Sequence, residues 1–121
     1  MRATTDLWTL NRLAKQVERM VLADLRRRPS IAEISRKLGV SDRYLRKVFQ
    51  IVHGIPPSKH LRMLRLSRAR QALLSAHGRS PTVSKIAIRL GFSELGRFSV
   101  EYRKRFGESP SATLRRAIRK T

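Results

Sequence analysis

Between residues 43 and 50 the chain sets Arg43, Arg46, Lys47 and Gln50 at i, i+3, i+4 and i+7, with Tyr44 beside them. On a helix that spacing lines up all four side chains on one stripe. Guanidinium and ammonium groups donate to guanine O6 and N7, a glutamine amide pairs with adenine, and phosphate oxygens accept from any of these donors. The stripe is therefore either a reader of base edges or an ordinary solvated helix face. Further along, Ser93, Gly96, Arg97, Val100 and then Arg103 or Lys104 fall at matching steps. Gly96 would let a helix backbone come close to a duplex, and Val100 offers a methyl contact to thymine. Phe98, Tyr102 and Phe106 are expected to turn inward on the other side.

Other chemistry finds little support in the sequence. The eight acids, Asp6, Glu18, Asp24, Glu33, Asp42, Glu94, Glu101 and Glu108, are scattered singly, and none shares a helical face with a histidine. No catalytic constellation follows from them. His53, His60 and His77 lie near helix ends or breaks without partners at metal spacing, so they read as surface or capping residues and no zinc site is expected. The absence of cysteine rules out disulfides, Cys-ligated zinc and thiol catalysis. No cofactor is expected.

The elements that must hold the two stripes are helices. The 121 residues support one domain or two very small ones, and 40% hydrophobic content is enough for a core. Pro and Gly cut the chain into helix-sized pieces, none with the alternation of a half-buried strand. In the first piece Leu10, Leu13, Ala14, Val17, Met20, Val21 and Leu25 mark one apolar face, ending before Pro29, with Trp8 as the expected anchor of its start. Ser30 and Glu33 form a capping box for a second helix with Ile31, Ile34 and Leu38 inside. Gly39 ends it, Val40 plugs the turn, and Ser41 caps a third helix whose core face is Leu45, Val48, Phe49 and Val52. Pro57 suits the first turn of a long helix to about Ala76, with Leu61, Leu64, Leu66, Ala69, Leu73 and Leu74 as core positions; residues 77–81 end it.

The second half restates the first. Residues 30–41 align with 82–93 at an offset of 52, matching the caps Ser30 and Thr82, Ile34 with Ile86, Leu38 with Leu90 and Gly39 with Gly91. Beyond the turn the offset is 53, pairing Leu45 with Phe98, Phe49 with Tyr102, Gly54 with Gly107 and Pro57 with Pro110, so one residue is inserted near the second turn. Phe92 repeats the plug role of Val40. Two helix-turn-helix units are the expectation. The linking helix, about 20 residues or roughly 30 Å long, suits two recognition helices in major grooves about 34 to 36 Å apart.

Charge points to the same partner. With 28 Lys+Arg against 8 Asp+Glu the net charge is +20, which attracts polyanions. With 6% aromatic residues the stacking platforms of single-strand and RNA readers are missing. The runs Arg26–Arg28 and Arg115–Lys120 are either solvated ends or phosphate contacts. No stretch approaches the roughly 20 apolar residues of a membrane span, and the N-terminus has no signal-peptide core, so a cytoplasmic protein without a membrane partner is expected.

The runs Ile31–Phe49, Gly54–Ser58 and above all Ile86–Ser111, with its turn, aromatic and Gly-x-x-Pro positions, resemble the DNA-binding domain of AraC-type transcription regulators (AraC/XylS) from the first helix to Leu114. The resemblance implies an all-α domain of about seven helices: two homeodomain-like helix-turn-helix subdomains, 1–56 and 77–121, joined by a linker helix, 57–76. It implies a bacterial regulator whose two recognition helices enter adjacent major grooves of double-stranded promoter DNA, without enzymatic activity and with RNA polymerase as a further partner. A monomer suffices for that binding, and a dimer fits if the chain is the C-terminal part of a longer one.

By position, the family's base-reading residues map onto Arg43, Arg46 and Lys47, and onto Leu95, Gly96, Arg97, Ser99 and Val100. Leu95, Gly96 and Val100 are poor hydrogen-bonders for that role. Phosphate contacts are expected from Ser30, Ser41, Thr82, Ser93, Arg103 and Lys104. The alternative is a basic architectural or RNA-associated helical protein that binds by charge without sequence readout.

Overall fold

The computed structural model describes residues 6–76 and 81–120. They form seven helices, α1 (Leu7–Ala23), α2 (Ile31–Leu38), α3 (Asp42–His53), α4 (Pro57–Leu74), α5 (Val83–Arg89), α6 (Leu95–Phe106) and α7 (Pro110–Lys120), with no strand among the described residues. The all-α expectation holds. The chain divides into two units, Met1–Met63 and Leu64–Thr121, and the division falls inside α4. His77 and the break expected at residues 77–80 lie outside the described residues.

In the N-terminal unit, Leu10, Ala14, Val17 and Val21 of α1 pack against α3 and are buried with Ile34, Leu45, Val48, Phe49 and Leu61. The expected anchor at Trp8 is not there: the indole is 67% exposed, with the Arg12 guanidinium 5.0 Å from its centroid. Asp6 secures the start of α1 instead, its carboxylate accepting from the Thr9 amide at 2.8 Å and the Thr9 hydroxyl at 3.1 Å. A polar cap satisfies orphan amides that an indole could not. α1 also stops at Ala23, so Leu25 lies past its end rather than on its apolar face.

The capping box is formed in full, with the Glu33 amide donating to Ser30 Oγ and the Ser30 amide donating to Glu33, both at 3.1 Å. Gly39 ends α2 at φ 71°, a left-handed conformation that costs a side-chain-bearing residue about 1–2 kcal/mol. The buried Ser35 hydroxyl then reaches the Asp42 carboxylate at the start of α3, clasping the two helices across the turn.

The C-terminal unit is built on Leu66, Ala69, Leu73, Ile86, Ala87, Phe92, Phe98, Tyr102 and Leu114. Phe92 is buried as the expected plug. Phe98 and Tyr102 turn inward as expected, and Phe106 packs at the edge of that core. Leu74 is 44% exposed, contrary to its expected core place, because the helical rotation that buries its neighbour Leu73 turns it outward. Arg65 is buried and donates to the Leu90 carbonyl at the end of α5 (3.3 Å), where a cation complements the helix terminus.

The repeat is written into the backbone hydrogen bonds. In the first turn the Val40 amide donates to Ser35 O, and 52 residues on the Phe92 amide donates to Ala87 O, both at 3.0 Å. After the turn the Gly54 amide donates to Gln50 O and the Gly107 amide, 53 residues on, to Arg103 O, at 3.0 and 2.8 Å. The inserted residue falls between Phe92 and Leu95. One consequence is that Ser93, aligned with Ser41, does not cap α6; Glu94 is the N-cap and makes no side-chain cap bond.

Candidate nucleic-acid interface

α3 forms because Ser41 caps it, its hydroxyl accepting from the Tyr44 amide at 3.0 Å, and because Leu45, Val48 and Phe49 bury one face completely. Helical periodicity then leaves Arg43, Arg46, Lys47 and Gln50 together on the exposed face, with Tyr44 half-buried at its edge. The structure brings the first stripe together as the sequence placed it. Asp42, in the first turn, is drawn to the Ser35 clasp behind the turn.

α6 presents the second stripe. Ser93, Gly96, Arg97, Val100, Arg103 and Lys104 are exposed, while Leu95 and Ser99 are half-buried. Val100 is 61% exposed, an apolar side chain facing solvent. A Cβ built on Gly96 meets nothing within 4 Å, so packing inside the domain does not demand glycine there. Arg97 Nε lies 3.6 Å from Glu101 Oε2, a partner that residue spacing alone would have offered at i, i+4.

The remaining expected phosphate ligands stand at helix starts. Ser30, Ser41 and Thr82 each accept a backbone amide as an N-cap, at 3.1, 3.0 and 3.1 Å, which leaves each hydroxyl proton free to donate. Of the two arginine runs, Arg27 pairs with Glu33 (3.1 Å) and Arg116 makes a two-point bond to Glu108 (2.6 and 2.9 Å), so these two cations are engaged within the fold. The Ser30 amide above all, with Arg27 behind it, holds the Glu33 carboxyl below its ordinary range.

Sequence reasoning missed two polar clusters. In the C-terminal unit the buried Tyr102 hydroxyl donates to Thr113 Oγ1 (2.8 Å), which donates in turn to Glu108, the carboxylate that also receives Arg116. This chain ties α6 to α7. The bond from Arg116, then that from Thr113, lowers the Glu108 pKa to about 2.

The second cluster corrects the reading of the histidines. His53 and His60 are not without partners: Glu18 Oε2 lies 2.6 Å from His60 Nε2 and 3.6 Å from His53 Nε2, and the two imidazoles stack with centroids 3.8 Å apart. Three helices supply these groups, so no spacing along the chain announces them. Burial, then the neighbouring His60, pushes the His53 pKa down.

Against known proteins, residues 34–116 match the family model described as a helix-turn-helix domain. The chain is 43% identical over 86 residues to a probable thc operon regulatory protein of Rhodococcus erythropolis, covering 71% of this chain and 26% of that protein. It is 32% identical over 101 residues to a XylDLEGF operon transcriptional activator of Pseudomonas putida, covering 84% and 32%. The chain thus spans about a quarter to a third of the length of these relatives. Among solved structures, a probable AraC family transcriptional regulator from Rhodopseudomonas palustris CGA009 matches with a TM-score of 0.77 and 36% identity, over 88% of this chain and 98% of that one. A regulator with an AraC-type DNA-binding domain from Chromobacterium violaceum matches with a TM-score of 0.80 and 30% identity, over 88% and 93%.

Proposed function

Because the chain belongs to the AraC-type helix-turn-helix family of transcription regulators, we propose that it binds specific double-stranded promoter sites by placing α3 and α6 in adjacent major grooves. The observation that carries this reading is the exposed α3 stripe of Arg43, Arg46, Lys47 and Gln50, backed by a wholly buried Leu45, Val48 and Phe49. A rigid apolar backing fixes the donors in the register that base recognition needs.

Arg43, Arg46 and Lys47 take guanine edges, Gln50 adenine, and Tyr44 borders the contact. In the second unit Arg97 and Ser99 donate, Gly96 admits the backbone and Val100 touches thymine methyls. Ser30, Ser41, Thr82, Ser93, Arg103 and Lys104 hold phosphates and set register without reading sequence. α4 has 18 residues and is about 27 Å long. A monomer then suffices to bind, in the cytoplasm, with RNA polymerase as the neighbour on the promoter.

Selection of bound sequences from random duplex DNA tests the reading. The expected result is a motif of two blocks about one helical turn apart, the block under α3 being the stronger. Equal binding to every duplex and to structured RNA at matched salt would overturn it in favour of a charge-only architectural role.

A further inference from the structure

We propose that Glu18, His53 and His60 form a binding site for a divalent transition-metal ion of the zinc class, joining α1, α3 and α4 of the N-terminal unit. The ligand atoms of the three side chains all lie within 4.8 Å of one another. Two imidazoles and one carboxylate are a donor set that zinc and its neighbours take readily.

The distances bear on how an ion would enter. Bonds of about 2.0–2.2 Å in tetrahedral geometry set donor atoms about 3.3 Å apart. Glu18 Oε2 and His60 Nε2 stand at 2.6 Å, a hydrogen bond that must open by less than 1 Å, and Glu18 Oε2 and His53 Nε2 at 3.6 Å are already close to that spacing. The ion thus replaces a shared proton. The imidazoles, now 14° from parallel, must fan apart by rotation about their side-chain bonds so that both lone pairs meet the ion.

The environment selects the metal. Glu18 contributes one negative charge inside a chain of net charge +20, so an ion held by charge alone, such as magnesium or calcium, is disfavoured. Imidazole bonding carries the affinity instead. The side chains are partly open, 23% for Glu18, 27% for His53 and 17% for His60, which leaves water access to a fourth position. His53 closes the recognition helix α3 and His60 lies in the first turns of α4, so the ion staples the end of α3 to α1 and α4.

Titration of the metal-free chain with cobalt(II), followed by visible absorption and by zinc competition, tests the site. One ion per chain is expected, with affinity falling about 10-fold or more in His60→Gln and in Glu18→Gln. Zinc should also raise the thermal midpoint of the unaltered chain and not that of the variants. Circular dichroism of the metal-free variants checks folding; should His60→Gln fail to fold, His53→Gln, at the more open edge, takes its place. Absence of saturation at one equivalent, or unchanged affinity in a folded variant, would overturn the site whatever the outcome of DNA selection.

Discussion

Arg97 Nε lies 3.6 Å from Glu101 Oε2, one turn further along α6. The guanidinium is 65% exposed, and an open i, i+4 pair of this kind is worth only about 0.3–0.5 kcal/mol. A phosphate or a guanine edge can therefore displace it at little cost. Under the proposed α6 contact, Glu101 would set a carboxylate beside the stripe that an anionic duplex approaches, so the pair would oppose DNA binding more than it supports the fold.

Replacing Glu101 with Gln should tighten duplex binding about fivefold at low salt, the equivalent of ~1 kcal/mol for one charge at contact distance in water. The gain should shrink as salt rises. Fluorescence anisotropy on a selected duplex at two salt concentrations measures both effects. Unchanged or weaker binding would remove α6 from the interface.

Base readers and phosphate holders separate under substitution. Arg46→Ala should cost about 1–3 kcal/mol on the preferred site and relax the preference at one base pair, leaving non-specific binding nearly intact. Lys104→Ala should weaken all duplexes alike and reduce the salt slope by about 0.9. Binding to a panel of single-base variants at several salt concentrations distinguishes the two. If Arg46→Ala behaved as Lys104→Ala does, the α3 stripe would be gripping phosphate only.

At Gly96 the proposed α6 contact predicts opposite effects on stability and on binding. It sits in α6 without a positive φ and with open space where a Cβ would stand, so Gly96→Ala should raise helix stability by up to about 1 kcal/mol. Under the proposed α6 contact, the same methyl should lower duplex affinity, because it would stand between the helix backbone and the DNA. Thermal melts and binding on one preparation give both signs, and undiminished binding would place the α6 backbone away from the duplex.

What the sequence made legible was local. Ser30 with Glu33, Gly39 and Gly91 act over three to five residues, and the alternation of Leu45, Val48 and Phe49 with the cationic stripe follows from helical rotation alone. Duplication made the turns readable twice, since Val40 and Phe92 close equivalent bonds. The histidine cluster, the Arg65 bond to Leu90 and the Tyr102–Thr113–Glu108–Arg116 chain needed tertiary structure, because their members come from different helices and the turns that join them. Trp8 and Leu74 misled because a large apolar side chain in a helix need not face the core.

The Glu108 network makes stability depend on acid. Its carboxyl is held at about 2, below the ordinary 4.5, by the bonds from Arg116 and Thr113. A carboxyl with a depressed folded pKa stabilises the folded chain above the unfolded value, and that contribution is lost as pH falls from about 4.5 toward 2. Urea unfolding across that interval should show the unaltered chain losing stability faster than Glu108→Gln, with the two curves running parallel at higher pH. Tyr102→Phe should cost about 1 kcal/mol at neutral pH by deleting one buried bond while leaving this acid slope in place, because the hydroxyl donates to Thr113 and not to the carboxylate. Identical acid slopes in the unaltered chain and Glu108→Gln would show that other carboxylates set the transition.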